Sequence, residues 1–183
     1  MNALVMNGNP NPADPRFDAY LQSLAQVLTV QGHGVNTLEL RSMDLRQCSG
    51  CFGCWLKTPG DCVTQDQHGQ LLRAYLAADV AVLASPLVLG FSSGLLKRTI
   101  EKLLPILLPY IDASTGECRH YVRYSKAPRL AVLYQDEPDT VDEDRAITRE
   151  IWSRMARNAN TSLIACLSTT MATTEVAHAI ARA

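Results

Sequence analysis

The chain has 183 residues, of which 47% are hydrophobic, and its 17 basic and 18 acidic residues leave a formal net charge of −1 at pH 7. This length and composition suit one ordinary α/β domain, residues 1–183, with a sizeable core. Because the charges nearly cancel and no basic stripe with interleaved aromatic residues occurs, composition argues against a nucleic-acid partner.

The first elements are predicted from a short apolar run followed by helical spacing. Residues 2–7 form an expected buried strand that stops at the turn residues Asn7-Gly8-Asn9-Pro10. Apolar residues then recur at helical spacing from Phe17 and stop at Gly32, and residues 35–40 supply a second strand. This opening lacks the features of a secretory signal, so a reducing cytoplasm is the expected location.

The later elements alternate around one long irregular segment. Residues 41–66 show no sustained periodicity, and such a long connection inside a compact domain is usually functional. The apolar run at 100–111 carries two charges and two prolines, which excludes a membrane span and indicates a buried or interfacial helix. The other predictions are a helix at 71–78, a strand at 80–84 ended by Ser85-Pro86, a helix at 94–110 interrupted by Pro105, an irregular excursion around 118–123, a strand at 130–134, a helix at 142–158, a strand at 161–167 and a short final helix.

Strands that alternate with helices predict a parallel sheet with helices on both faces. Five strands in this length suit the flavodoxin-like order 2-1-3-4-5, in which ligands bind at the switch point between strands one and three. Residues 7–16 should therefore meet residues 85–93 at the carboxyl edge of the sheet. The cysteine-rich loop within residues 41–66 follows strand two and should reach the same edge.

Four cysteines lie in the run CSGCFGCWLKTPGDC, at Cys48, Cys51, Cys54 and Cys62. An overlapping C-x2-C-x2-C triple is typical of iron–sulfur ligation, and a fourth thiolate eight residues later can complete one [4Fe-4S] centre. Structural zinc more often uses two separate C-x2-C pairs, and disulfides need an oxidising compartment. Cluster ligands, zinc ligands and free reactive thiols remain the alternatives at this point.

Two segments of the predicted edge suit a phosphorylated planar cofactor, although an ordinary strand-to-helix turn and a helix cap at Ser92 or Ser93 would use the same residues. The turn from Asn7 to Pro10 leads into a helix N-terminus, where free N–H groups attract an anion, and Arg16 can pair with phosphate. The loop from Ser85 to Gly94 offers small residues and backbone donors along the edge of a planar ring. Motifs for nucleotide hydrolysis, a Rossmann dinucleotide site and a nucleophilic serine are not found in the sequence.

The runs CSGCFGCWLKTPGDCVTQD, SPLVLGFSSGLLKRTIEKLLPILLPYI and GECRHYVRY, after the strand-one turn, resemble the flavodoxin-like NAD(P)H-dependent FMN reductases. They resemble most the branch that includes the iron–sulfur flavoproteins, over roughly residues 2–135. The resemblance implies FMN with its phosphate at residues 8–17 and its isoalloxazine ring along residues 85–92. It also implies a cluster on Cys48, Cys51, Cys54 and Cys62 where one is present, and a homodimer or homotetramer.

These expectations give a set of site residues. The expected cofactor contacts are Asn7, Gly8, Asn9, Pro10, Arg16 and Phe17 from the first turn, and Ser85, Pro86, Leu87, Val88, Leu89, Gly90, Phe91 and Ser92 from the second loop. No side-chain acid or base is required for catalysis, because the flavin supplies the redox chemistry.

The main functional hypothesis is hydride transfer from NAD(P)H to FMN and then to a small-molecule, quinone-like acceptor or a redox protein. One alternative is an iron–sulfur flavoprotein electron carrier without its own nicotinamide site. The other is a non-enzymatic flavodoxin-like module whose cysteines hold zinc or stay free.

Overall fold

The computed structural model describes residues 1–182. The strands of the chain are β1 (Asn2–Asn7), β2 (Gly34–Glu39), β3 (Val80–Val88), β4 (Phe91–Ser92), β5 (Leu107–Asp112), β6 (Arg119–Val122), β7 (Arg129–Gln135) and β8 (Leu163–Ser168). The α-helices are α1 (Pro15–Val30), α2 (Gly53–Leu56), α3 (His68–Ala77), α4 (Gly94–Glu101), α5 (Asp142–Asn158) and α6 (Thr173–Arg182). Within the described residues no helix combines the length and apolar character needed to cross a membrane.

Five parallel strands form the centre of the fold in the order β2-β1-β3-β7-β8, which confirms the predicted flavodoxin-like order. The register places Asn7, the last residue of β1, beside Ala84 of β3 and beside Glu39 of β2. The chain therefore leaves β1 next to the middle of β3, and the segments after both strands emerge at one edge of the sheet.

Helices cover both faces of this sheet, as in other doubly wound folds. Helix α1 buries Phe17, Leu21, Leu24 and Leu28, whose spacing of three or four residues places them on one face. They pack with α6 against one side of the sheet, while α3, α4 and α5 cover the other side. Burying a large apolar side chain of this kind contributes roughly 1.5–3 kcal/mol.

Strand β3 is longer than predicted, because the chain continues in extended form through Ser85-Pro86 to Val88. Strand β1 ends opposite Ala84, so Pro86 is paired only with Gln135 of β7. A proline is tolerated there because it removes no ladder hydrogen bond from a strand paired on both sides.

The predicted helix at 94–110 was wrong beyond Glu101. A 3-10 turn at Leu104–Ile106 follows α4, and the chain then enters β5. Pro105 cannot donate a helical hydrogen bond, and a short apolar run suits a strand as well as a helix. The excursion around 118–123 is also regular, since β6 pairs antiparallel with β5 in a separate two-stranded sheet.

Candidate functional site

The turn after β1 and the loop after β3 are hydrogen bonded to each other. The Gly8 N–H donates to the Ala84 carbonyl at 2.7 Å, and the Ser93 hydroxyl donates to the Gly8 carbonyl at 2.6 Å. The Ser93 N–H donates in turn to Ser85 Oγ at 2.8 Å. The two segments that sequence reasoning assigned to cofactor binding therefore meet directly.

Gly8 makes this close approach possible. A Cβ atom at residue 8 would lie 2.8 Å from the Ala84 carbonyl oxygen and 2.8 Å from Leu96 Cβ. Both neighbours are held by buried backbone, so a larger residue would push the turn away from β3 and α4.

Asparagine side chains occupy the backbone donors of the turn after β1. Asn7 Oδ1 accepts from the Asn9 N–H at 3.0 Å, Asn9 Oδ1 from the Asn11 N–H at 2.9 Å, and Asn11 Oδ1 from the Ala13 N–H at 3.0 Å. Each is an Asx-type turn, in which an amide oxygen replaces a backbone acceptor. A phosphate that used these N–H groups would first have to displace the amides.

Two carboxylates also lie at this turn. Asp14, the N-cap of α1, pairs with Arg16 at 2.7 Å, and the Arg16 side chain is 79% exposed. Hydrogen bonds from the Arg16 side chain and N–H lower the pKa of Asp14 to about 2. Phe17 is 2% exposed and belongs to the core, so its side chain is not available at the surface.

Asp18 is the second carboxylate. It accepts from the amides of Asn7 at 2.8 Å and Asn9 at 3.1 Å, and its other oxygen lies 2.9 Å from Arg41. Burial acts to raise the pKa of Asp18, but the hydrogen bonds from Arg41 and the two amides lower it on balance. The expected phosphate turn is thus closed by its own side chains and flanked by two carboxylates, each paired with an arginine.

The second segment forms a β-hairpin. Leu87 and Val88 of β3 pair antiparallel with Ser92 and Phe91, and Leu89 and Gly90 turn the chain with φ of +52° and +72°. Positive φ at both central residues is typical of a tight hairpin turn. This conformation is sterically unfavourable for Leu89, which has a Cβ, but not for Gly90. The Leu89 side chain is 94% exposed at the tip.

A carboxylate is bound at the tip of this hairpin. Glu137, in the segment after β7, accepts from the Leu89 N–H at 3.0 Å and from the Gly90 N–H at 2.8 Å, one bond to each oxygen. The two neighbouring N–H groups therefore form a binding position for an anionic group with two acceptor atoms.

The Ser92 hydroxyl is an unused hydrogen-bond donor in the same hairpin. It is 8% exposed, and its buried hydroxyl has no hydrogen-bond partner among the described residues. An unmade hydrogen bond at a buried group costs free energy, so a ligand that reaches Ser92 gains by satisfying it. The Phe91 ring packs parallel to Trp152, with centroids 6.4 Å apart, and fixes the end of the hairpin.

The four cysteines of the irregular loop do not form a metal site in this structure. Cys54 is buried, Cys51 is exposed, and Cys48 and Cys62 are half-buried. Among residues 1–182 no group of three or more His, Cys, Asp or Glu side chains is placed to hold a metal ion. All four thiols are free. The predicted cluster ligands are therefore close enough for the other three thiols to influence Cys54, but no three of them are placed to hold a metal ion.

The environments of these thiols differ. The Gly53 N–H donates to Cys51 Sγ at 3.5 Å and lowers the pKa of that thiol. Burial raises the pKa of Cys54, and the nearby Cys62, Cys48 and Cys51 add smaller upward effects. The loop thus combines an exposed thiol that ionises more readily with a buried one that ionises less readily.

A buried ion pair that sequence reasoning missed supports the end of this loop. Lys102 Nζ lies 2.8 Å from Asp66, with side chains 1% and 0% exposed, and 3.4 Å from Cys62 Sγ. Asp66 also accepts from the N–H groups of His68 and Arg46. Burial acts to raise the pKa of Asp66, but the Lys102 bond and these N–H groups lower it. The available signal was a lysine within the largely apolar run at 100–111.

Two cavities lie beside these segments. One, of about 410 Å³, is mostly apolar and is lined by Cys48, Tyr75, Ile100, Leu104 and Met155 among others. The other, of about 600 Å³, has a lining that is part polar and part apolar, formed by Pro10, Arg41, Gln47, Gly94, Leu95, Lys97, Arg98 and Glu101. This second cavity borders the turn after β1 and the first turn of α4.

Comparison with known proteins finds relatives in sequence over part of the chain and in fold over nearly all of it. No protein-family profile matches the chain. An iron–sulfur flavoprotein of Archaeoglobus fulgidus is 30% identical over 102 residues, covering 56% of this chain and 48% of that protein. An iron–sulfur flavoprotein of Methanocaldococcus jannaschii is 24% identical over 110 residues, covering 60% and 55%. The chain spans about half the length of the curated relatives it matches.

Solved structures share the fold over nearly the whole chain. An FMN-dependent NADH-azoreductase from Bacillus anthracis, in complex with FMN, superposes with a TM-score of 0.65 at 14% identity, covering 97% of this chain and 93% of that one. An NAD(P)H:quinone oxidoreductase from Methanothermobacter marburgensis also has a TM-score of 0.65, at 13% identity, covering 99% and 96%. The chain therefore has the flavodoxin-like fold of the FMN-dependent NAD(P)H reductases and resembles the iron–sulfur flavoproteins in sequence, as its motifs predict.

Proposed function

We propose that the chain is an FMN-dependent NAD(P)H oxidoreductase that passes hydride from NAD(P)H to FMN and then reduces an acceptor. The observation that carries this proposal is the hairpin tip, where two adjacent N–H groups hold an anionic group beside an unpartnered buried hydroxyl. This tip lies at the carboxyl edge of β1 and β3, where ligands bind in doubly wound folds.

The residues of the hairpin fit the pyrimidine edge of a flavin. The N–H groups of Leu89 and Gly90 suit acceptor atoms that become more negative on reduction, and Ser92 Oγ adds a third donor. FMN, when bound, supplies the hydride chemistry, and the protein orients it. No catalytic side chain is proposed. Glu137 has to release the hairpin tip before these donors can serve a cofactor.

The proposed electron acceptor is a quinone-like small molecule or a redox protein. The azoreductase and the quinone oxidoreductase with the same fold support the small-molecule class. We also propose a homodimer or homotetramer, because Tyr110, Ile111 and Tyr121 expose 67%, 55% and 53% of their surfaces on the β5–β6 hairpin. A cytoplasmic location stays a prediction.

A second candidate is an iron–sulfur flavoprotein electron carrier, which the similarity to iron–sulfur flavoproteins favours. Within residues 1–182 no three of these cysteines are placed to hold a metal ion, so no electron-transfer step is assigned to the loop. Iron and acid-labile sulfide analysis of anaerobically purified protein distinguishes the two candidates, because only the second requires both.

Absorption spectroscopy under anaerobic conditions tests the main proposal. The protein is titrated with FMN and then treated with NADPH or NADH, and bleaching of the bound flavin is the expected result. Ser92→Ala should weaken FMN binding about fivefold, since a hydrogen bond contributes roughly 0.5–1.5 kcal/mol. The exposed Ser114→Ala variant serves as the control. Protein that binds no FMN would overturn the proposal, and bound flavin that neither nucleotide bleaches would favour the electron carrier.

A further inference from the structure

The mostly apolar cavity of about 410 Å³ lies where three elements of the fold end. Its walls include Tyr75 of α3, Leu104 of the 3-10 turn after α4, and Met155 and Ala159 at the end of α5. Cys48 of the cysteine loop also lines it. Small-molecule sites commonly have volumes of about 300–1,000 Å³, so this cavity can hold a ligand of two rings.

This cavity is separate from the proposed flavin contacts. Of the described residues, none from 7–17 or 85–92 lines it. It shares Gln47 and Glu101 with the second cavity, which borders the turn after β1. A ligand in the apolar cavity would therefore lie beside the candidate flavin site without using the hydrogen-bond donors of that site.

The charge of the cavity wall favours a neutral ligand. Glu101 is the one charged residue among the described residues that line the cavity, and its carboxylate lies 2.5 Å from Lys97 Nζ. Moving a charged group from water into a mostly apolar space costs free energy unless an opposite charge receives it. Because Glu101 is already paired, the wall offers no such partner to a charged ligand.

Half-buried apolar side chains supply most of the contact surface. Ile100, Leu104 and Met155 line the cavity and each keeps part of its surface accessible. A ligand that covers this surface removes it from water, which favours binding of an apolar molecule. The unbranched Met155 side chain can adapt to the shape of such a ligand.

One hydroxyl group gives the cavity a specific polar contact. Tyr75 is 2% exposed, and within residues 1–182 its hydroxyl forms no hydrogen bond. Burial raises the pKa of this phenol, so it stays protonated and can donate. It is not among the polar atoms that are both fully enclosed and unpartnered, so its oxygen keeps some accessible surface. Because Tyr75 lines the cavity, this surface faces the cavity and is available to a ligand acceptor.

We propose that this cavity binds a neutral, mostly apolar ketone of about two rings, whose carbonyl oxygen accepts a hydrogen bond from the Tyr75 hydroxyl. The carbonyl satisfies a buried donor that is otherwise unused, and the rings cover the apolar wall. Binding here does not depend on FMN, because none of these contacts is among those proposed for the flavin.

Benzophenone and diphenylmethane are the probes, since they have the same two rings and only benzophenone has the carbonyl. Calorimetry measures both affinities for the unchanged protein, for Tyr75→Phe, and for Tyr20→Phe as a control on the other face of the sheet. Tyr75→Phe should weaken benzophenone binding about fivefold and leave diphenylmethane binding unchanged. Tyr20→Phe should change neither affinity.

Filling the cavity is the second test. Ala159→Leu places a larger side chain in the cavity wall and should weaken binding of both probes at least about tenfold. Ala179→Leu, at a half-buried position of α6, should not. Equal melting temperatures confirm that the variants fold.

Photocrosslinking locates the probe in the unchanged protein. Ultraviolet light makes bound benzophenone form a bond to a neighbouring C–H group, and peptide mapping should place the adduct within residues 100–107 or on Met155. Added FMN should leave benzophenone binding unchanged.

Four results would overturn the proposal: no benzophenone binding up to its solubility limit, adducts confined to residues outside the cavity, competition by FMN, or equal losses for both probes in Tyr75→Phe. The reductase proposal would stand after any of them, because bleaching of bound flavin tests it separately. Benzophenone binding as expected in a protein that binds no FMN would confirm the cavity while the proposed function fails.

Discussion

Replacing Gly8 with Ala tests whether the turn after β1 has to contact β3 and α4. The new Cβ would lie 2.8 Å from the Ala84 carbonyl oxygen and from Leu96 Cβ, where ordinary contact begins at 3.4 Å. Neither neighbour can move cheaply, because Ala84 lies in the middle of the sheet and Leu96 is fully buried. Overpacking of this kind costs about 1–3 kcal/mol, which raises the unfolded fraction roughly 5- to 150-fold.

Urea unfolding of Gly8→Ala and Gly94→Ala measures this cost. Both changes lower the entropy of the unfolded chain equally, but a Cβ on Gly94 meets nothing within 4 Å. The difference between their free energies of unfolding therefore isolates the clash. FMN affinity should fall in Gly8→Ala, since the Ser93 bond to the Gly8 carbonyl is then displaced. Free energies of unfolding that agree within about 0.5 kcal/mol would refute the reasoning.

Three further predictions concern charged groups. Glu137→Ala frees the hairpin N–H groups and should tighten FMN binding about tenfold in a fluorescence titration, whereas the exposed Glu143→Ala should not. Burial acts to raise the pKa of Asp18, but its hydrogen bonds hold this pKa below its value in the unfolded chain. The charged Asp18 therefore stabilises the fold above about pH 4, and this contribution is lost as the pH falls through the folded-state pKa. The stability gap between the unchanged protein and Asp18→Asn should therefore shrink in acid, and a constant gap would contradict this. Lys102→Met should lower the free energy of unfolding in urea by about 3–5 kcal/mol, because it leaves Asp66 buried without its partner. The double variant Lys102→Met, Asp66→Asn should lose clearly less, and equal losses in the two variants would argue against a buried pair.

The central sheet could be predicted because its signals are local. Apolar runs that end at turn residues mark β1, β3 and β7, and their alternation with helices gives the strand order. The β5–β6 hairpin could not be predicted in the same way. The apolar run that contains β5 suits a helix equally well, and only pairing with β6 decides between them.

The position of the candidate site could be predicted from the sequence, but its hydrogen bonds could not. Chain order and sheet topology bring Gly8 and Ser85 together, whatever the side chains around them. The partners that modify the site are distant in sequence: Glu137 bonds Gly90 across 47 residues, and Lys102 bonds Cys62 across 40. No periodic pattern encodes such contacts. The spacing of the cysteines likewise indicates ligation chemistry without fixing where each sulfur points.

Of the two tryptophans of the chain, one lies in the cysteine loop and the other packs against the hairpin. Trp55 stacks on Phe52 in the cysteine loop, with centroids 5.2 Å apart, and its indole N–H donates to the Leu107 carbonyl at 3.0 Å. Trp152 packs against Phe91 at the hairpin that is proposed to hold the flavin. A variant that keeps only one indole therefore has an emission signal confined to one segment. The natural chain thus supplies separate optical reporters for the thiol loop and for the hairpin, without any attached dye.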